Sequence, residues 1–157
     1  MALGSDAEAL AYEEAMYQSM VLRAEAAEEL VLAQKHLAKA REFESRAAKI
    51  LVRKAIYEEN VARLVARSRL FKNRAHEYEK YHQEEGVESF KNQAESRHYK
   101  SRSLLRQAKM REKQIEEIEK RADEILKHAE EHRMLRREHE SEAIRLEGEA
   151  VNVQRGI

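Results

Sequence analysis

The chain has 157 residues, with 30 Lys and Arg against 30 Asp and Glu, four Gly, and no Pro, Cys or Trp. Without Pro and with so little Gly it cannot adopt a fold that turns often, because those residues supply the backbone geometry of turns. The lack of Cys excludes a disulfide framework and a thiolate zinc site, and a net charge of zero removes the simplest argument for nucleic acid or an anionic membrane as partner.

High charge signals disorder only when hydrophobicity is low and one sign dominates. Here the apolar fraction is 42% and the signs balance. Ala, Glu, Leu, Arg and Lys dominate, all strong helix formers, and the composition is that of long helices or coiled coil. The opening residues Met1 to Asp6 have neither the basic start nor the apolar stretch of a signal peptide. The longest uncharged strings, such as Ala15 to Leu22, fall short of the ~18–20 residues of a membrane span. An intracellular protein, cytoplasmic or cytoskeletal, is the expectation.

In chain order, residues 1–5 read as an N-terminal cap: Ser5 followed by Glu8 is a capping box, with Asp6 and Glu8 set against the positive end of the helix dipole. A first long helix is predicted over 6–84, since no Gly or Pro follows until Gly86. At ~1.5 Å per residue it would be about 120 Å long, so its periodicity must justify it. Phe43, Ile50, Tyr57, Leu64, Phe71 and Tyr78 recur every seven residues. Four residues after each lie Ala47, Lys54, Val61, Ser68, Ala75 and His82, smaller or polar. Taking the two sets as the seam positions of a heptad, large and small alternate along a seam that lets two helices interdigitate. A second register follows Gly86, with Val87, Ala94, Ser101, Ala108, Ile115, Ala122 and Ala129 at a. Its d positions are Phe90, Arg97, Leu104, Arg111, Ile118, Ile125 and His132, the last being expected to weaken and end the seam.

The two registers are out of phase, and the change falls at Gly86. Gly86 can act as the left-handed residue that ends one helix, with Ser89 capping the next, which makes residues 85–89 a turn. The alternative is one continuous helix in a larger assembly, with a Gly costing about 1 kcal/mol relative to Ala. The second helix is predicted over 90–150, and residues 151–157, with Gly148 and Gly156 nearby, as a frayed C-terminus. The fold class is therefore all-α: a long antiparallel helical hairpin or coiled coil.

Apolar residues are unevenly spread, filling 18 of the 28 positions in 7–34 but only 15 of the 50 in 100–149. A helix that is apolar over much of its circumference needs more than one neighbour. Leu10, Tyr12, Met16, Tyr17, Met20, Leu22, Leu30 and Leu32 are the partner-binding candidates on this argument. The alternative is a C-terminal segment of the same chain folding back over them. Charge is also blocked: residues 1–34 carry a net −6, residues 35–74 a net +8. Such blocks can fix register between helices, or be solvated faces with local pairs.

The chemistry-bearing residues are few. His128 and His132, one helical turn apart, could chelate a metal, but no third ligand is evident in the sequence. Glu79-x-x-His82 and Glu95-x-x-His98 flank Gly86 and match half of a diiron bundle's ligand set. Glu79, Glu95 and His98 nevertheless fall off the seam and are expected to point outward. No phosphate-cradling Gly loop and no Cys nucleophile occur, and Ser residues on helices have no oxyanion-forming turn beside them. No catalytic residue, cofactor, metal or small-molecule substrate is therefore expected.

The expected function is a non-catalytic scaffolding subunit that links protein partners through helix–helix packing in a homo- or hetero-oligomeric assembly. Its seam is Phe43, Ile50, Tyr57, Val61, Leu64, Phe71, Tyr78, Phe90, Leu104, Ile115, Ile118 and Ile125, with Gly86 as hinge. The alternative is a membrane-surface or nucleic-acid-binding helical protein using the basic 53–74 face: Arg53, Lys54, Arg63, Arg67, Arg69, Lys72 and Arg74.

Overall fold

A computed structural model describes the backbone of residues 2–156 and the side chains of residues 6–156. Two helices make up the fold, α1 (Ala2–Glu85) and α2 (Glu88–Arg155), packed as an antiparallel hairpin. Gly86 is the only residue among those described with a positive φ, at 68°. Its amide donates to the His82 carbonyl (2.8 Å), closing the last turn of α1 in a left-handed cap. That conformation is strained for any residue with a Cβ. The choice between turn and continuous helix is thus settled in favour of the turn.

Four boundaries differ from expectation. α1 begins at Ala2, so Ser5 lies within the helix, and its side chain is outside the described residues. α2 begins at Glu88, which places Val87 at the N-cap and the expected cap, Ser89, inside the first turn. Phe90 donates to the Val87 carbonyl at 3.1 Å, and the Glu88 carboxylate sits against the positive end of the dipole. The turn is thereby shortened to two residues, Gly86 and Val87. Finally, α2 runs through Gly148 to Arg155, because nothing in a helix interior forbids a glycine; it only forgoes stability.

The chain divides into two compact units, Met1–Ser45 with Ile125–Ile157, and Arg46–Glu124. In the second unit, the buried positions are small on both helices: Ala47, Ser68 and Ala75 on α1, and Ala94, Ser101, Ala108 and Ala122 on α2. Ile50, Tyr57, Val61, Leu64, Phe71 and Tyr78 on α1 are half-buried beside them, as are Phe90, Ile115 and Ile118 on α2, and Leu104 is fully buried. Small side chains let the backbones come close, and the larger ones fill the flanks. Near the turn, Phe90 packs on Tyr78 and Tyr81, and the Arg97 guanidinium lies 4.8 Å from the centre of the Tyr78 ring. Arg111 stacks on Tyr57 in the same way, so two arginines occupy seam positions without being left as bare buried charges.

The first unit repeats the arrangement. Ser19, Ala26, Ala33 and Ala40 are buried on α1, at the same seven-residue step as Ala47. Facing them on α2 are Ala129, Ala143, Leu146 and Ala150, all buried, with Ile125 half-buried. Leu22, Ala26, Ala143 and Leu146 form one apolar cluster. The seam on α2 therefore does not end at His132. It continues because His132 and His139 are taken up by partners on α1.

Candidate functional site

The seam uses one stripe of α1, and the apolar surplus of residues 7–34 lies elsewhere on the helix. Ser19, Leu22, Ala26 and Ala33 face α2, which at 3.6 residues per turn directs Leu10, Tyr17, Val21 and Val31 to the opposite side. Tyr17 and Met20 are the most open of these, at 70% and 67% exposed. Leu10, Tyr12, Val21, Leu30, Val31 and Leu32 are exposed as well. Two shallow apolar depressions mark this face, one lined by Tyr17, Gln18, Val21 and Leu22, the other by Ala27, Glu28, Val31, Leu32 and Lys35. Exposed apolar residues occur on α2 too, the adjacent Met134 and Leu135 and the isolated Ile144 among them, but not at this density.

Two of the residues expected to bind a partner also pack within the hairpin. Leu22 is half-buried against Ala26, Ala143 and Leu146. Met16 is half-buried, its sulfur accepting from the Gln154 amide at 3.6 Å. Next to it, Arg23 donates to the Gln154 carbonyl oxygen at 2.7 Å. Residues 6–14 are all exposed. The residues missing from the sequence reading are the small ones, Ser19, Ala26, Ala33 and Ala40, whose signal was the continuation of the Ala47 spacing toward the N-terminus.

Polar groups hold the two helices of each unit in register. In the first unit, Arg133 donates to Glu44 at 2.6 Å, and His139 bonds Glu29. His36 and His132 meet through their Nδ1 atoms at 2.9 Å, one donating and the other accepting. The His36 ring is stacked on both His132 and His139, and Phe43 packs on His128 and His132. Burial, followed by the neighbouring His132, His139 and Lys39, holds the His36 imidazole below its ordinary pKa. In the second unit, the Ser68 hydroxyl donates to the Ser101 carbonyl at 2.9 Å. Lys54 pairs with Glu119 at 2.8 Å, and this hydrogen bond raises its pKa.

The motifs weighed for metal chemistry are rearranged. His82 turns to the Val87 carbonyl (2.9 Å), and Glu95 is exposed, so neither Glu-x-x-His pair acts as a unit. Glu79 and His98, expected to point outward, are half-buried and bonded to each other across the two helices. Glu79 also accepts from His76 Nδ1 at 3.2 Å. Along the basic face, Lys54 and Arg63 are engaged by Glu119 and Glu59, while Arg53, Arg67, Arg69, Lys72 and Arg74 are exposed. Phe71, interleaved with them, is half-buried on the seam. Among the described residues no helix is long and apolar enough to cross a membrane.

No protein family, curated protein or solved structure matches the chain.

Proposed function

We propose that the chain is a non-catalytic helical subunit that joins protein partners by helix–helix packing, with the outward face of α1 as its docking surface. The observation that carries this reading is the separation of two stripes on one helix. Ser19, Leu22, Ala26 and Ala33 complete the hairpin, and Leu10, Tyr17, Met20, Val21 and Val31 are left uncovered on the other side. Exposed apolar residues gathered on one face mark interaction sites, and such a face on a helix fits an amphipathic helix laid along it. The acidic excess of residues 1–34 favours a partner helix with basic flanks.

The test compares the full chain with a variant carrying Tyr17→Glu, Met20→Glu and Val31→Glu. Chemical cross-linking of the assembled protein should place partner or second-copy peptides on residues 10–35 of the unaltered chain. The variant should lose those cross-links, and any larger species in sedimentation, with its helicity unchanged. A chain that sediments as a monomer at every concentration and yields no cross-links at this face refutes the reading.

A further inference from the structure

We infer that His76 and Glu79 of α1, with His98 of α2, form a binding site for one divalent transition-metal ion of the zinc class. Each offers a ligand atom, and the three atoms lie within 4.8 Å of one another. Among the described residues this is the only group of three His, Cys, Asp or Glu side chains so arranged. His76 and Glu79 are three residues apart on one helix and so share a face without any rearrangement of the backbone. His98 comes from the facing helix, so the site closes only when the hairpin is formed.

The orientation of the rings adds to the proximity. His98 Nε2 and His76 Nδ1 are both aimed at the one carboxylate of Glu79. Their rings meet edge-on, 5.4 Å apart at 80°, so the two nitrogens converge rather than lie parallel. Two protons now occupy the space between two imidazoles and a carboxylate. A cation held there would take the place of those protons, each imidazole then carrying its proton on the other ring nitrogen and aiming a lone pair at the ion. Zinc takes His nitrogen and carboxylate oxygen at about 2.0–2.2 Å, which sets tetrahedral ligand atoms roughly 3.3–3.6 Å apart, so three atoms within 4.8 Å of one another need only adjust their spacing. The exposed His76 ring and the half-exposed Glu79 side chain are free to do so. Arg97, next to His98 in the chain, is held over Tyr78 and bonded to Gln93, which keeps its charge on other partners. Two imidazoles and one carboxylate suit zinc, with cobalt as a spectroscopic substitute, and leave a fourth position open to water.

Because its ligands come from both helices, the ion would act as a clamp on the turn end of the hairpin, independent of the docking face on α1. The experiment uses the full chain after treatment with a chelator, titrated with zinc chloride by calorimetry and with cobalt by visible absorption. One equivalent of zinc should bind, cobalt should give the absorption of a tetrahedral site, and the thermal midpoint should rise with zinc. His98→Ala and Glu79→Gln should each weaken binding by at least about tenfold and abolish the midpoint shift. His128→Ala, an exposed imidazole outside the site, should change neither, and circular dichroism should report unchanged helicity for all three variants. The proposal is overturned if binding is not saturable at one equivalent, or if His128→Ala weakens it as much as His98→Ala. Zinc-induced dimerisation, showing a site between chains, overturns it equally.

Discussion

The hydroxyl of Ser68 on α1 reaches the backbone carbonyl of Ser101 on α2 at 2.9 Å, and the two serine hydroxyls meet at 2.8 Å. A side chain with a single heavy atom beyond Cβ can reach the opposite main chain only where two helices approach closely. Ser68 and Ser101 are both buried, and the neighbouring small positions are Ala75 and Ala94. Bulk at such a point has nowhere to go. Ser68→Leu is therefore expected to destabilise the hairpin by about 1–3 kcal/mol through overpacking. Ser68→Ala removes a hydroxyl and leaves that of Ser101 to be satisfied within its own helix, at a cost of about 1 kcal/mol. Urea denaturation of the two variants, with the leucine clearly the worse, checks the close approach.

Leu22 and Tyr17 are five residues apart and predict opposite results. Leu146→Ala and Leu22→Ala remove atoms from the cluster with Ala26 and Ala143, and the more deeply buried Leu146 should lose roughly 2–5 kcal/mol, Leu22 less. Tyr17→Ala, on the open face, should fall within about 0.5 kcal/mol of the unaltered chain. Thermal melts of the three variants distinguish seam from docking face without any partner being present.

The glycines predict opposite signs. Gly86→Ala places a Cβ in the left-handed region, and with no atom within 4 Å of that Cβ the cost is backbone strain alone, about 1–2 kcal/mol. Gly148→Ala lies in the interior of α2, also with open space around the new Cβ, and should stabilise by roughly 0.5–1 kcal/mol. Denaturant midpoints of the two variants should move in opposite directions.

The His36 cluster predicts an acid-sensitive first unit. The folded state holds the His36 pKa below the ordinary 6.5, so the unfolded chain binds a proton there more readily. The stabilisation is complete above pH 6.5 and is lost as pH falls below that value toward the lowered pKa. Glu29, bonded to His139, and the Arg133–Glu44 pair flank the cluster, with Lys39 adding positive charge. The urea midpoint should fall between about pH 7.5 and pH 5.5, and His36→Phe should flatten that fall. An equal slope in both proteins would locate the acid sensitivity elsewhere.

Much of the seam was legible because large residues recur every seven positions from Phe43 to Tyr78 against a charged background. Toward the N-terminus the same step continues through Ala40, Ala33, Ala26 and Ser19, where it was hidden. There most positions are apolar, and a periodic signal needs contrast with its surroundings to be seen. Past His132 the seam was obscured for the opposite reason. Imidazoles at its large positions resembled an end, and only their partners on α1 make them seam residues.

The cross-helix pairs were not legible at all. In the sequence Glu79 stands three residues from His82, and His98 three from Glu95, which is the pairing that Glu-x-x-His spacing offers. Their true partners depend on the stagger between two helices, which spacing along either one does not contain.

From the sequence alone followed long helices, Gly86 as the one place where a break could fall, and a helix surface with more apolar area than one neighbour can cover. Helix propensity, seven-residue periodicity and the freedom of glycine at positive φ are local properties, written in consecutive residues. Which face of α1 is spent on the hairpin, and which imidazole meets which carboxylate, was decided by the two-residue turn and the close fit of small side chains. Those set the alignment of α2 on α1, a relation between distant residues that exists only once the helices have packed.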